Sequence, residues 1–210
     1  MGPKLVLTYF DFPALGEPVR MALAMSGQPW EDKRLTTEEF KAIKPTLPYN
    51  QVPILEVDGV TLPQSLAQLR YVGKLGGIYP TDALEAAFAD AAVDAVTDMH
   101  FFLRATFVES DAAKKMELRK DMAENSLPTW LANLEKTLKA AGGNYFTGGK
   151  LSIGDIAVVA RLNWLKIGVL DGIPATIVDD YPLLSALINR VMAEPKIAAY
   201  LKAGKKKSHR

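Results

Sequence analysis

The pattern of apolar and polar positions changes character roughly a third of the way along the chain. Before that point it alternates short apolar runs with short amphipathic stretches. Leu5–Phe10 is an apolar run bounded by Pro3 and by Asp11-Phe12-Pro13, which predicts a buried strand. Over Glu17–Ser26, Val19, Ala22, Leu23 and Ser26 share one helical face, and Gly27 suits the C-cap. Trp30–Leu35 reads as a weaker strand, and Thr37-Glu38-Glu39-Phe40 opens a short helix with acidic residues in its first turn. Pro53-Ile54-Leu55-Glu56-Val57 and Val60-Thr61-Leu62 flank Asp58-Gly59, which predicts a hairpin with a type I′ turn. A helix over 64–74 follows and is ended by Gly76-Gly77. The order is βαβαββα, in which the βαβ unit implies parallel pairing and the hairpin adds antiparallel strands.

Tyr79-Pro80-Thr81-Asp82 reads as a linker, and strand signals vanish beyond it. Ala83–Val108 is Ala-rich and helical. A second long helix is expected over 112–141, with Leu127, Leu131, Leu134 and Leu138 on one face and a kink at Pro128. Ser152 and Asp155 have the spacing of a capping box, in which each side chain meets the other residue's amide. The helix that follows, to about Leu170, is apolar on several sides. Helices over 181–192 and 195–202 complete the chain. The fold class is therefore α/β plus all-α. Residues 1–79 form a mixed domain, 80–84 a linker, 85–203 an all-helical domain and 204–210 a basic tail.

Composition narrows the chemistry. The 210 residues carry 25 Lys and Arg against 24 Asp and Glu, for a net charge of +1. A near-neutral body argues against coating nucleic acid or an anionic membrane. The N-terminus lacks the long apolar region of a signal peptide, Val6 stands where a myristoylation motif needs Ser or Thr, and no uncharged run is long enough to span a bilayer. The expected location is cytoplasmic. Cysteine is absent and the histidines are His100 and His209, so disulfides, Cys-ligated zinc and a thiol nucleophile are excluded. A resident metal is not expected. Any thiol used here must come from a ligand.

The first domain gathers three features that could handle such a ligand. Tyr9 ends the first strand, and ligands of open α/β sheets bind outside strand ends. Val52-Pro53 precedes a strand, where proline cannot donate to the ladder. A cis bond there would turn the Val52 backbone towards a ligand. Gln64-Ser65 opens a helix, where free amides and a hydroxyl favour a carboxylate. Each feature also has a plainer role: a core tyrosine, an edge proline and a helix cap.

Together these stretches resemble the cytosolic glutathione S-transferases, most closely the sigma class, which includes glutathione-dependent prostaglandin D synthase. The resemblance rests on Leu7-Thr8-Tyr9-Phe10, Ile43-Lys44-Pro45-Thr46-Leu47-Pro48, Val52-Pro53-Ile54-Leu55-Glu56-Val57-Asp58-Gly59, Leu62-Pro63-Gln64-Ser65-Leu66-Ala67 and Ser152-Ile153-Gly154-Asp155. It implies a thioredoxin-like N-terminal domain, an all-helical C-terminal domain, a homodimer and glutathione as cosubstrate. By that resemblance Tyr9 donates to the glutathione sulfur and promotes the thiolate. Gln64 and Ser65 hold the γ-glutamyl carboxylate. Val52, beside Pro53, pairs with the cysteinyl backbone. Gln51, Lys44 and Phe40 lie near the glycyl end. Tyr49 matches an aromatic key that enters the partner subunit. Phe10, Phe12, Leu15, Phe101 and Phe102 are assigned to a pocket for an apolar electrophile, although the last two could equally pack between helices.

Three positions depart from the class. Leu15 stands where the prostaglandin synthases carry an arginine, Phe40 replaces a tryptophan that binds the glycyl carboxylate, and Phe101 with Phe102 replaces an acidic pair. The resemblance therefore implies a transferase acting on apolar electrophiles. The alternatives are a non-catalytic ligand-binding or crystallin-like member, or a glutathione-dependent prostaglandin isomerase. Elsewhere, 143–150 lacks the residues a phosphate loop needs at Asn144 and Leu151. Lys205, Lys206, Lys207 and Arg210 are read as a solvated tail.

Overall fold

Leu5, Leu7 and Tyr9 alternate with Val6 and Thr8 along β1 (Leu5–Phe10), and all five are buried, so this strand must lie inside a sheet covered on both faces. A computed structural model, which describes residues 2–205, places it there. Strand β2 (Trp30–Leu35) pairs parallel to it, with Leu5 opposite Trp30 and Phe10 opposite Leu35. The connection is α1 (Glu17–Ser26), which has Pro18 in its first turn and Gly27 at φ 69° as its left-handed C-cap. Strand β3 (Ile54–Val57) pairs antiparallel on the other side of β1, and β4 (Val60–Pro63) completes the order β2-β1-β3-β4. Asp58 and Gly59 take φ of 50° and 83°, as the expected type I′ turn demands. Between β2 and β3 lie α2 (Thr37–Ile43), capped by Thr36, and two short 3-10 turns at Lys44–Thr46 and Pro48–Asn50. Helix α3 (Ser65–Leu75) packs beside α1.

The helical part begins with α4 (Ala83–Val108), capped by the Asp82 carboxylate. Helix α7 (Ile153–Lys166) is buried along almost its whole length and packs on α4. Gly154 permits that contact, since a Cβ there would sit 2.8 Å from the Ala89 carbonyl oxygen. The expected single helix over 112–141 is instead α5 (Ala112–Asp121), a π-helical stretch (Met122–Ser126) and α6 (Leu127–Ala140). The Leu127 amide bonds to Met122 O, one residue further back than in an α-helix. The irregularity therefore lies in the turn before Pro128, which itself sits at the start of α6 where its missing N–H costs little.

Helix α8 (Pro182–Met192) is capped from outside its own segment. The two Glu135 carboxylate oxygens accept from the Leu183 and Leu184 amides, each at 2.9 Å. Glu135→Ala should cost about 1–2 kcal/mol of stability, the range for a lost N-cap, measured as a shifted urea midpoint at unchanged slope.

The chain divides into two compact units, one from the N-terminus to Pro80 together with the residues from Ala193 onward, the other Thr81–Met192. Helix α9 (Pro195–Lys205) thus groups with the sheet by its contacts, although it lies within the 85–203 span expected to be all-helical. The reason lies in its polar side chains. Lys196 Nζ donates to Met25 O at 2.9 Å, and the Tyr200 hydroxyl donates to the Glu17 carboxylate at 3.1–3.2 Å. Lys206, Lys207, His209 and Arg210, the rest of the expected basic tail, lie outside the described residues. Among the described residues no helix is long and apolar enough to cross a membrane.

Candidate functional site

Four backbone segments meet at the C-terminal end of β1. Tyr9 lies near that end and is 4% exposed. Its hydroxyl oxygen accepts from the Leu15 amide at 3.3 Å, which ties it to the turn leading into α1. Leu15 in turn lines a small cleft with Pro48, Tyr49, Gln51, Val52, Pro53, Pro63, Gln64 and Ser65. The Val52–Pro53 bond is cis. The cleft therefore gathers Gln51, Val52, Pro53, Gln64 and Ser65, five of the residues assigned to a glutathione site.

Gln64 and Ser65 are held there by unusual backbone. Gln64 adopts φ 69° and ψ 108°, a region that costs a non-glycine residue about 1–3 kcal/mol. This turns the chain so that α3 starts at Ser65, with its first amides pointing out of the helix end. The same end is braced from within. Gln68 is fully buried, and its Nε2 donates to Pro53 O and Leu62 O at 2.9 Å each. Strand β4, the residue before β3 and the helix start are thereby pinned together. Amides, a hydroxyl and the positive end of a helix dipole make this end of the cleft suited to a carboxylate.

The remaining assigned residues are placed differently. Phe40 packs edge-on to Phe10 with ring centroids 5.1 Å apart, and the ammonium of the exposed Lys44 lies 5.9 Å from the Phe40 ring. Neither lines the cleft. Phe10 and Phe12 stack at 5.4 Å, and the Tyr9 ring lies 5.5 Å from each. Tyr49 is 70% exposed, at φ 56°. Leu15, assigned to the electrophile pocket, sits with the cleft residues. Phe101 and Phe102 lie on α4 in the other unit and are 67% and 52% exposed, so they do not pack between its helices. Ser152 and Asp155 form their capping box at the start of α7, in the helical unit.

Sequence reasoning missed two residues beneath Tyr9. Gly16 has an ordinary φ of −80°, yet a Cβ there would lie 2.3 Å from Tyr9 Cδ1. Glycine is required by contact, not by dihedral. Gly16→Ala should cost about 1–3 kcal/mol by overpacking and perturb the near-ultraviolet dichroism of the tyrosine. Arg20 is 1% exposed and bonds to Phe10 O, Phe12 O and Asp32. No sequence signal marked it, since it lies off the face formed by Val19, Ala22, Leu23 and Ser26. Beside it, burial raises the Glu17 carboxyl above the usual range, against the pull of Arg20 and the Tyr200 hydroxyl. Burial, with Glu17 alongside, also holds the Tyr200 hydroxyl well above its ordinary value. Among the described residues no group of three or more His, Cys, Asp or Glu is placed to hold a metal ion.

Comparison with known proteins places this geometry. Residues 5–74 match the model of the glutathione S-transferase N-terminal domain, and 97–204 that of the glutathione S-transferase C-terminal domain. The chain is 34% identical over 204 residues to glutathione S-transferase 4 of Caenorhabditis elegans, covering 95% of this chain and 96% of that one. It is equally 34% identical over 204 residues, with the same coverage, to S-crystallin SL11 of Nototodarus sloanii. A solved structure of prostaglandin synthase D from Nilaparvata lugens superposes with a TM-score of 0.88 at 36% identity, covering 95% of this chain and 98% of the other. The cleft thus lies in a domain whose family takes its name from glutathione, and the chain belongs to the glutathione S-transferase family.

Proposed function

We propose that the protein is a glutathione transferase that binds glutathione in the cleft beside Tyr9 and delivers its thiolate to an apolar electrophile. The observation that carries this reading is the Tyr9 hydroxyl, bonded to the amide of a residue that lines a cleft with Val52, Gln64 and Ser65. In this reading the Ser65 hydroxyl and the first amides of α3 take the γ-glutamyl carboxylate. The Val52 backbone pairs with the cysteinyl unit, which sets the sulfur towards Tyr9. Gln51 faces the glycyl end. The exposed ammonium of Lys44 is assigned to counter the glycyl carboxylate. The stacked Phe10 and Phe12, with Leu15, give the sulfur an apolar flank. Tyr49, with its exposed ring on a turn, serves as the key of a homodimer, and the protein acts in the cytoplasm.

A second reading, a non-catalytic member, is favoured by one observation, the match to an S-crystallin. Leu15 in place of the class arginine counts against the prostaglandin isomerase. Two measurements separate the readings: calorimetric binding of glutathione, and steady-state conjugation to an activated aryl halide. We expect both to be positive. Ser65→Ala should weaken glutathione roughly 10-fold, the effect of removing one hydrogen bond to a charged group, with little change in kcat. Binding without conjugation across several electrophiles would move the protein to the non-catalytic class. Absence of binding would refute the site.

A further inference from the structure

The β1–α1 turn that carries Leu15 and Gly16 makes few bonds of its own. Its backbone contacts are the amides of Gly16 and Glu17 on Pro13 O, at 3.2 and 3.1 Å, and Ala14 in it takes φ 33°. Side chains hold it from beneath: the Arg34–Asp11 ion pair, the Tyr9 hydroxyl that accepts from the Leu15 amide, and above all Arg20. Arg20 Nη2 donates to Phe10 O at 2.8 Å and Nη1 to Phe12 O at 3.0 Å, while Nε donates to Asp32 Oδ1 on β2 at 3.1 Å. Its guanidinium carbon lies 5.6 Å from the centre of the Tyr9 ring. The three donors thus span the strand end, the turn and the neighbouring strand at once. Only a planar fork can do so, because an ammonium has its donors on one atom.

We propose that Arg20 is a positioning residue for Tyr9, fixing the turn that sets the Tyr9 hydroxyl, and that Tyr200 of α9 braces it through Glu17. The assignment rests on the reading of Tyr9 as thiolate donor. Shape, not charge, is the working part. Asp32 at 3.1 Å and Glu17 at 3.7 Å offset the guanidinium charge. Glu17 is itself held by the Tyr200 hydroxyl on both carboxylate oxygens. The C-terminal helix of the chain therefore reaches Tyr9 through a continuous series of named contacts: Tyr200, Glu17, Arg20, the carbonyls of Phe10 and Phe12, and the turn at Leu15.

The test is Arg20→Lys, which keeps the charge and loses the fork, made alone and in a Tyr9→Phe background. Full-chain variants that retain wild-type far-ultraviolet dichroism are compared for glutathione affinity, for the ultraviolet absorption of the bound thiolate, and for kcat with an activated aryl halide. Arg20→Lys should lower kcat roughly tenfold and diminish the thiolate signal while glutathione affinity changes by less than about threefold, since small misplacements are felt in the chemical step. In the Tyr9→Phe background the same change should cost less than about twofold, because the two residues act as one unit. An equal loss in both backgrounds would make Arg20 merely structural and overturn the proposal. So would a folded Arg20→Lys with full thiolate signal. If Arg20→Lys does not fold, Tyr200→Phe carries the test, with an expected loss of roughly two- to threefold in kcat that vanishes in Tyr9→Phe; no loss would again overturn it. Tyr9→Phe with unaltered thiolate content would instead sink the functional reading and this proposal together. A defective Tyr9→Phe beside an unimpaired Arg20→Lys sinks this proposal alone.

Discussion

Tyr9→Phe should lower kcat/KM for conjugation by about 10- to 100-fold near neutral pH while leaving glutathione affinity within about threefold. The size follows from the thiol. With a reference pKa near 8.5, a thiol is only about 3% ionised at pH 7. Lowering that pKa by about two units needs roughly 2.7 kcal/mol of preference for the thiolate, and one charge-assisted hydrogen bond supplies on the order of 1.5–3. A single phenol can therefore carry most of the effect. Tyr9 is suited to it by burial, which strengthens a hydrogen bond to a charged group, and by the Leu15 amide, which bonds to its oxygen and fixes where the hydroxyl sits. Phenylalanine keeps the ring packing on Phe12 and removes the hydroxyl, both as donor to the sulfur and as acceptor of the Leu15 amide. The sign of the pH dependence is fixed by the same argument. The wild-type advantage is fully present below the lowered pKa of the bound thiol and closes as pH rises from there through the free thiol's reference value. A gap that persisted unchanged into alkaline solution would mean that Tyr9 acts other than on ionisation.

The legible part of the site was the part written in backbone. Val52-Pro53, Asp58-Gly59 and Gln64-Ser65 each impose a local conformation through a ring, a missing Cβ or a helix start, so short words suffice to read them. Arg20 and Gly16 could not be read that way. A cation in an amphipathic segment is expected on its wet face, and the reason it is buried lies across the sheet, in Asp32 and in two carbonyls. Gly16 looks like any residue before a helix until the Tyr9 ring is set against it. Lys44 and Phe40 show the converse. Their assignment came from resemblance alone; in the structure the Lys44 ammonium lies over the Phe40 ring, which packs on Phe10, and neither lines the cleft.

The fold was legible to the same depth. The short apolar runs and the hairpin turn pointed to the sheet, because those signals are local. The grouping of α9 with the sheet escaped, since its bonds run from Lys196 to Met25 and from Tyr200 to Glu17, over most of the length of the chain. The π-helical stretch escaped for another reason. Leu127, Leu131, Leu134 and Leu138 keep a helical face, and periodicity does not distinguish one extra residue inserted at 122–126 from a kink.

Asp155→Ala should destabilise the protein by about 3 kcal/mol at neutral pH, as the loss of a buried acceptor strands several donors at 1–3 kcal/mol each. Asp155 is fully buried at the start of α7, with Oδ2 accepting from the Ser152 amide at 2.7 Å and from the Ser152 hydroxyl at 2.8 Å. Oδ1 accepts from the Phe146 amide at 2.8 Å, so one carboxylate closes both the helix start and the loop before it. Without it two backbone amides lie in a dry interior with no acceptor. Asn is no remedy, because its NH2 group would face one of those donors. The relief from burying one charge fewer is what keeps the estimate from the top of the range. Burial raises the Asp155 carboxyl above its ordinary value, even though the amides of Phe146 and Ser152 pull it down. A raised folded-state pKa means that the stability it contributes is full below the unfolded-state value and declines as pH climbs through the folded one. The wild type should therefore exceed Asp155→Ala by more in mildly acid solution than at neutral pH. Urea titrations of both proteins across that span measure the difference directly, and a margin that widened with rising pH would show that the hydrogen bonds outweigh the burial of the charge.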